Sequence, residues 1–184
     1  YNIQTAADTV SGLIVHHEVT QDSNDQNQLQ PMAEQSQKAL KSEKLDVVAD
    51  AGYSNGEYLA NCEKRGITAT VPSHRAINNK GDYFQKGAFR YDEQRNSCRC
   101  PAGEELPYKT KSSKDKLYLY TRQGCDNCQL KPQCTSSKNR WVTRHFHEAA
   151  YARTDARLAE QPWLMVQRKI VERPFAVLKQ KMGL

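Results

Sequence analysis

The chain opens with two short apolar-rich runs, "YNIQTAAD" and "GLIVHHEVT", separated by "TVS", a pattern that predicts an antiparallel hairpin over residues 1–7 and 13–19. "TQDSND" then supplies turn chemistry and a helix cap. From 25 to 40, Leu29, Met32, Ala33, Ser36 and Leu40 recur at helical spacing, which predicts an amphipathic helix with Pro31 near its start. The run 45–49, "LDVVA", has no polar residue after Asp46 and reads as a strand central in its sheet. "NGEYLANCEKRG" reads as a helix capped by Ser54 or Asn55 and stopped by Gly66, and "ITATV" as a further strand. Hairpin, helix, strand, helix, strand is the rhythm of a mixed α/β sheet.

The texture changes after Pro72. "PSHRAINNKGDYFQKGAFRYDEQRNS" is polar and basic, and Cys-bearing patches follow it, so residues 72–145 read as an insertion. Helical periodicity returns over 146–184. Counting from Pro162, Leu164, Val171, Phe175, Leu178 and Met182 fall on one stripe, and Arg168, Glu172 and Lys179 line one edge of it. Such spacing ordinarily makes a solvated salt-bridge ladder. Pro174 predicts a kink just after Glu172.

The insertion holds five of the six cysteines: Cys98 and Cys100 in "CRCPAG", then Cys125, Cys128 and Cys134 in "GCDNCQLKPQC". In a reducing compartment this spacing favours a thiolate metal site over disulfides. Cys100, Cys125, Cys128 and Cys134 supply a tetrahedral set for a structural zinc, with Cys98 as the alternative to Cys100 and His145 and His147 as further donors. The competing reading is a set of reduced free thiols. Cys62, alone in a helix, reads as a small core residue.

Charge alters the picture more than length does. The 184 residues suffice for one core with an appendage. The net charge is +6, yet residues 1–71 carry −5 and residues 72–184 carry +11. A basic half of that size points to a polyanion, most simply nucleic acid. No apolar run reaches a membrane span, which gives the expectation of a soluble, cytoplasmic protein. The first residue is Tyr1 and the last run is basic and helical, so the chain reads as a piece of a longer protein.

Asp50 closes the run 45–49 just before a Gly and a helix start. On local grounds it is a turn residue. Taken together, "VVADAGYSNGEYL", "CPAGEEL", "CDNCQLKPQC" and "IVERPFAVLKQKMG" give the chain another meaning: it resembles the DDE transposases of bacterial insertion sequences. The likeness covers nearly its whole length. It implies a ribonuclease-H-like α/β fold, a mixed sheet flanked by helices and interrupted by a Cys-containing insertion, which the cysteine spacing makes zinc-ribbon-like. Residues 1–71 would be the first part of the catalytic domain and 146–184 its helical end.

The resemblance maps the second catalytic Asp onto Asp50 and the third acid, in an Arg-x3-Glu-x6-Lys arrangement, onto Arg168, Glu172 and Lys179. A related signature begins with Tyr three residues before the Arg, where this chain has Met165. The family's first Asp would lie on a strand preceding the hairpin; Asp8 reads as a turn residue instead. The implied activity is metal-dependent cleavage of DNA at transposon ends, followed by strand transfer to target DNA. Asp50 and Glu172 would bind Mg2+ or Mn2+, and Arg168 and Lys179 would touch DNA. The implied partners are double-stranded DNA and a second copy in the transposition complex, at the nucleoid. The alternatives are a non-catalytic, zinc-stabilised DNA-binding module and an inactive transposase remnant.

Overall fold

Asn2–Ala7 (β1) and Ile14–Thr20 (β2) pair antiparallel, from Asn2 opposite Thr20 to Ala7 opposite Ile14, with a bulge at Ala6 and Ala7. The computed structural model describes residues 1–73 and 83–182, with backbone alone at Pro174, Phe175, Leu178, Lys179 and Met182. Asp8 turns the hairpin. Its Oδ1 accepts from the amides of Val10 (3.1 Å) and Ser11 (2.6 Å) and from the Ser11 hydroxyl (2.7 Å). These bonds, the Ser11 amide foremost, hold its carboxyl below the ordinary range.

The first helix, α1, spans Leu29–Leu40 and starts four residues later than the periodicity suggests. The reason is local. Asp25 is spent on the loop, its carbonyl accepting the Gln28 amide at 2.9 Å and its carboxylate accepting from other side chains described below. Leu45–Val48 (β3) runs parallel to Ile67–Thr70 (β4), in register from Leu45 opposite Ile67 to Val48 opposite Thr70. Between them lies α2, Gly56–Lys64, whose cap Asn55 accepts from the amides of Glu57 and Tyr58. Gly66 makes the return at φ +75°, where an added Cβ would meet the Glu43 carbonyl oxygen at 2.7 Å. The sequence reading makes β3 a central strand. Among the described residues it pairs with β4 alone and leaves its other edge open.

The chain resolves into two units. The first, residues 1–73 and 147–182 of those described, contains these elements and three further helices. They are α3 at Glu148–Glu160, α4 at Leu164–Gln167 and α5 at Glu172–Met182. Its core joins Leu29 and Ala33 of α1, Leu59 and Cys62 of α2, Ile67 and Ala69 of β4, Val71, and Ala150 and Tyr151 of α3. Cys62 is fully buried, as a core residue should be, and burial pushes its thiol up to about 11.

The second unit, residues 83–146 of those described, is an antiparallel meander. Its strands are β5 (Arg90–Asp92), β6 (Ser97–Arg99), β7 (Glu105–Ser112), β8 (Leu117–Thr121) and β9 (Trp141–His145). From the sequence a small, polar, zinc-ribbon-like insertion is expected. The structure builds five strands around Phe89, Cys98, Leu106, Tyr120 and Val142. Asn96, at φ +47°, accepts from the Tyr91 hydroxyl (3.2 Å) and the Tyr120 hydroxyl (3.0 Å), which satisfies the polar ends of two packed aromatics.

Candidate active site

Asp50 follows β3, extended at φ −80° and ψ 174°, and caps a single 3-10 turn over Ala51–Tyr53. Its Oδ1 accepts the Gly52 amide at 2.8 Å. The turn explains the glycine by close approach: a Cβ at position 52 would stand 2.9 Å from Asp50 Oδ1 and 3.6 Å from Asp25 Oδ2. Two carboxylates therefore flank one glycine, and Asp50 itself is exposed.

Asp25 carries no marked signal in the sequence. Its Oδ1 accepts from Gln4 Nε2 (2.7 Å) and Asn2 Nδ2 (2.8 Å), and Gln4 Nε2 also donates to Asn2 Oδ1 (3.0 Å). The Tyr53 hydroxyl donates to Gln4 Oε1, so the buried Gln4 amide ties β1 to the turn that carries Asp50. Burial, with Asp25 and then Asp50 nearby, pushes the Tyr53 phenol up to about 12. It stays protonated and donating across the physiological range.

The late acid arrives differently from its expected setting. The helix that begins with α4 gives way to a 3-10 turn over Arg168–Val171 before α5 starts at Glu172. The break therefore precedes Glu172, whereas the sequence reading puts the kink after it. A proline at 174 has no N–H to give to the carbonyl of Ile170, so regular helix cannot continue through this segment. Within the first turn of α5, where amides have no helical partner, the same proline is tolerated.

Asp50, Arg168 and Glu172 all line one cavity of about 750 Å³ within the first unit, together with Asp25 and Tyr53. Arg168 Nη1 lies 3.6 Å from Asp50 Oδ2. Glu172 is exposed. Lys179 falls within α5, and its side chain lies outside the described residues. The consecutive residues Leu45 to Asp50 all border the cavity. Side chains alternate along a strand, so a cavity that meets every residue faces the strand's edge. That edge carries unpaired amides and carbonyls. β1 borders the same space through Ile3, Thr5, Ala6 and Ala7, and it pairs only with β2 among the described residues.

The donors suit a hard cation. They are carboxylate oxygens, one of them presently balanced by a guanidinium, which is the charge a divalent ion would replace. Among the described residues no three His, Cys, Asp or Glu side chains are already gathered to hold an ion. No helix of the described residues is long and apolar enough to cross a membrane. Beyond the geometry, a family model described as the transposase DDE domain matches residues 1–184. No curated protein and no solved structure matches the chain.

Proposed function

Because the chain belongs to the transposase DDE domain family, we propose that its first unit carries two acids of a DNA-cleaving and strand-transferring centre, Asp50 and Glu172. The observation that carries this reading is that Asp50, Arg168 and Glu172 line the same cavity, although they come from a strand end and a distant helical segment. Mg2+ or Mn2+, when bound, would activate water and offset the charge that develops on the phosphate during cleavage. Asp50 and Glu172 would hold it, and Asp25 stands beside Asp50 as a further oxygen donor. Arg168, paired with Asp50 at 3.6 Å, would contact a phosphate of the bound DNA. The family resemblance adds Lys179 as a further DNA contact.

The first acid of the centre is assigned to no residue of 1–184. We place it on an additional strand seated between β1 and β3, where two open strand edges border the cavity. The ribonuclease-H-like sheet would be completed there. The basic second half of the chain supplies phosphate contacts that position double-stranded DNA without reading much of its sequence, and such binding weakens steeply with salt. A second copy of the chain would join the transposition complex, acting at the nucleoid.

A non-catalytic DNA-binding module, or an inactive remnant, is the competing reading. In that reading the contact of Arg168 with Asp50 is an ordinary exposed ion pair with no role in metal or phosphate binding. Mn2+ titration followed by water-proton relaxation separates the readings. The catalytic account expects saturable binding that is lost in Asp50→Asn and in Glu172→Gln. Equal binding by all three proteins would support the module or the remnant.

A further inference from the structure

The fold of the second unit sorts its cysteines. Cys98, on β6, is 3 % exposed and packs with Phe89, Leu106, Tyr120 and Val142. Cys100 leaves the same strand in a turn closed by the Gly103 amide donating to the Cys100 carbonyl at 2.9 Å, with Gly103 at φ +82°. Cys125 and Cys128 bracket the next turn, the Cys128 amide donating to the Cys125 carbonyl at 3.2 Å. Cys134 ends a third turn, its amide donating to the Lys131 carbonyl at 2.9 Å. These four cysteines line a single cavity of about 160 Å³, and Cys98 does not border it.

The charged residues around that cavity are informative. Arg122 pairs with Glu104 and Lys131 with Asp126, so both have carboxylate partners at the rim. Arg140 also lines the cavity. Its Nη1 donates to the Cys134 carbonyl (2.9 Å) and its Nη2 to the Phe84 carbonyl (3.0 Å), but its Nε is buried with no hydrogen-bond partner. A buried N–H without an acceptor is costly, and a thiolate sulfur is an acceptor that this wall can supply. Residues 122–140 contain no strand and are held by 3-10 turns and these ion pairs. Such a segment gains most from a cross-link.

We propose that Cys100, Cys125, Cys128 and Cys134 bind one structural zinc ion, with Cys98 excluded from the set. Four thiolates on Zn2+ leave a doubly negative centre, and Arg140 supplies an adjacent cation with an unused donor. The thiols lose their protons to solvent on binding, with no change in oxidation state. No three of these groups stand at ion-holding distance, so binding would require the three turns to draw in. Ordering of residues 122–140 is then coupled to metal uptake. This proposal stands apart from the catalytic reading, because it concerns the second unit alone.

The test is metal analysis of the full chain, purified without chelator, for wild type, Cys128→Ser and Cys98→Ala. About one zinc per chain is expected in wild type and in Cys98→Ala, with loss in Cys128→Ser. In wild type, stepwise mercurial titration with a zinc-sensitive dye should release the ion as thiols are consumed, a readout that needs no folded variant. A folded wild type without zinc would overturn the proposal. So would zinc retained at the wild-type level in Cys128→Ser, or zinc lost from a folded Cys98→Ala.

Discussion

Arg168 Nη1 lies 3.6 Å from Asp50 Oδ2, an ion pair that joins the end of β3 to the 3-10 turn preceding α5. Both side chains are more than a third exposed, so the pair adds little to stability. Arg168→Ala should change the unfolding free energy by about 0–1 kcal/mol while removing most DNA-end cleavage in the full-length protein. Denaturant unfolding checks the first outcome and a cleavage assay the second. A loss of stability well above that range would make the pair structural.

Gly52→Ala tests the close approach of the Asp50 turn. The new Cβ would stand 2.9 Å from Asp50 Oδ1, the end of a side chain that can swing away. Folding should survive, while Mn2+ affinity should fall about 10-fold or more, the scale seen when a ligand loses its support. Unchanged affinity would mean that the carboxylate's present position is immaterial.

Tyr53 makes an alkaline prediction. Its folded pKa, about 12, exceeds the ordinary 10, so stability is fully present below pH 10 and is lost as pH rises from 10 through about 12. Tyr53→Phe should flatten that part of the stability curve relative to wild type. Cleavage kinetics supply a second readout: if the Tyr53–Gln4 bond positions Asp50, kcat should fall in Tyr53→Phe with little change in KM.

Leu59 is 1 % exposed in the core of the first unit. Leu59→Ala should cost about 2–5 kcal/mol, measured by denaturant unfolding. A cost below about 1 kcal/mol would mean that the helix-to-strand packing around β4 is not the main support of the site.

Much of the first unit was legible because its elements are strongly patterned. The run ending in Asp50, the Asn55 cap and Gly66 each report local chemistry, and the structure uses each locally. The residues behind Asp50 were not legible for the opposite reason. Gln4 is a polar residue beside the apolar Ile3, yet Gln4 is 2 % exposed and Ile3 46 %. Gln4 is buried because its partners, Asp25 and Tyr53, come from segments far along the chain. No window of sequence contains that fact. The break before Glu172 was misplaced because Pro174 acts on the residues before it as well as at its own position. The second unit hid its five strands behind short, polar sequences such as Arg90–Asp92, whose pairing depends on neighbours rather than on alternation.

The most direct test is Mg2+-dependent cleavage of labelled transposon-end DNA by the full-length protein, comparing wild type with Asp50→Asn and Glu172→Gln, and with circular dichroism to confirm folding. The account predicts cleavage by wild type and none by either folded variant. Cleavage by either variant at the wild-type rate would contradict it.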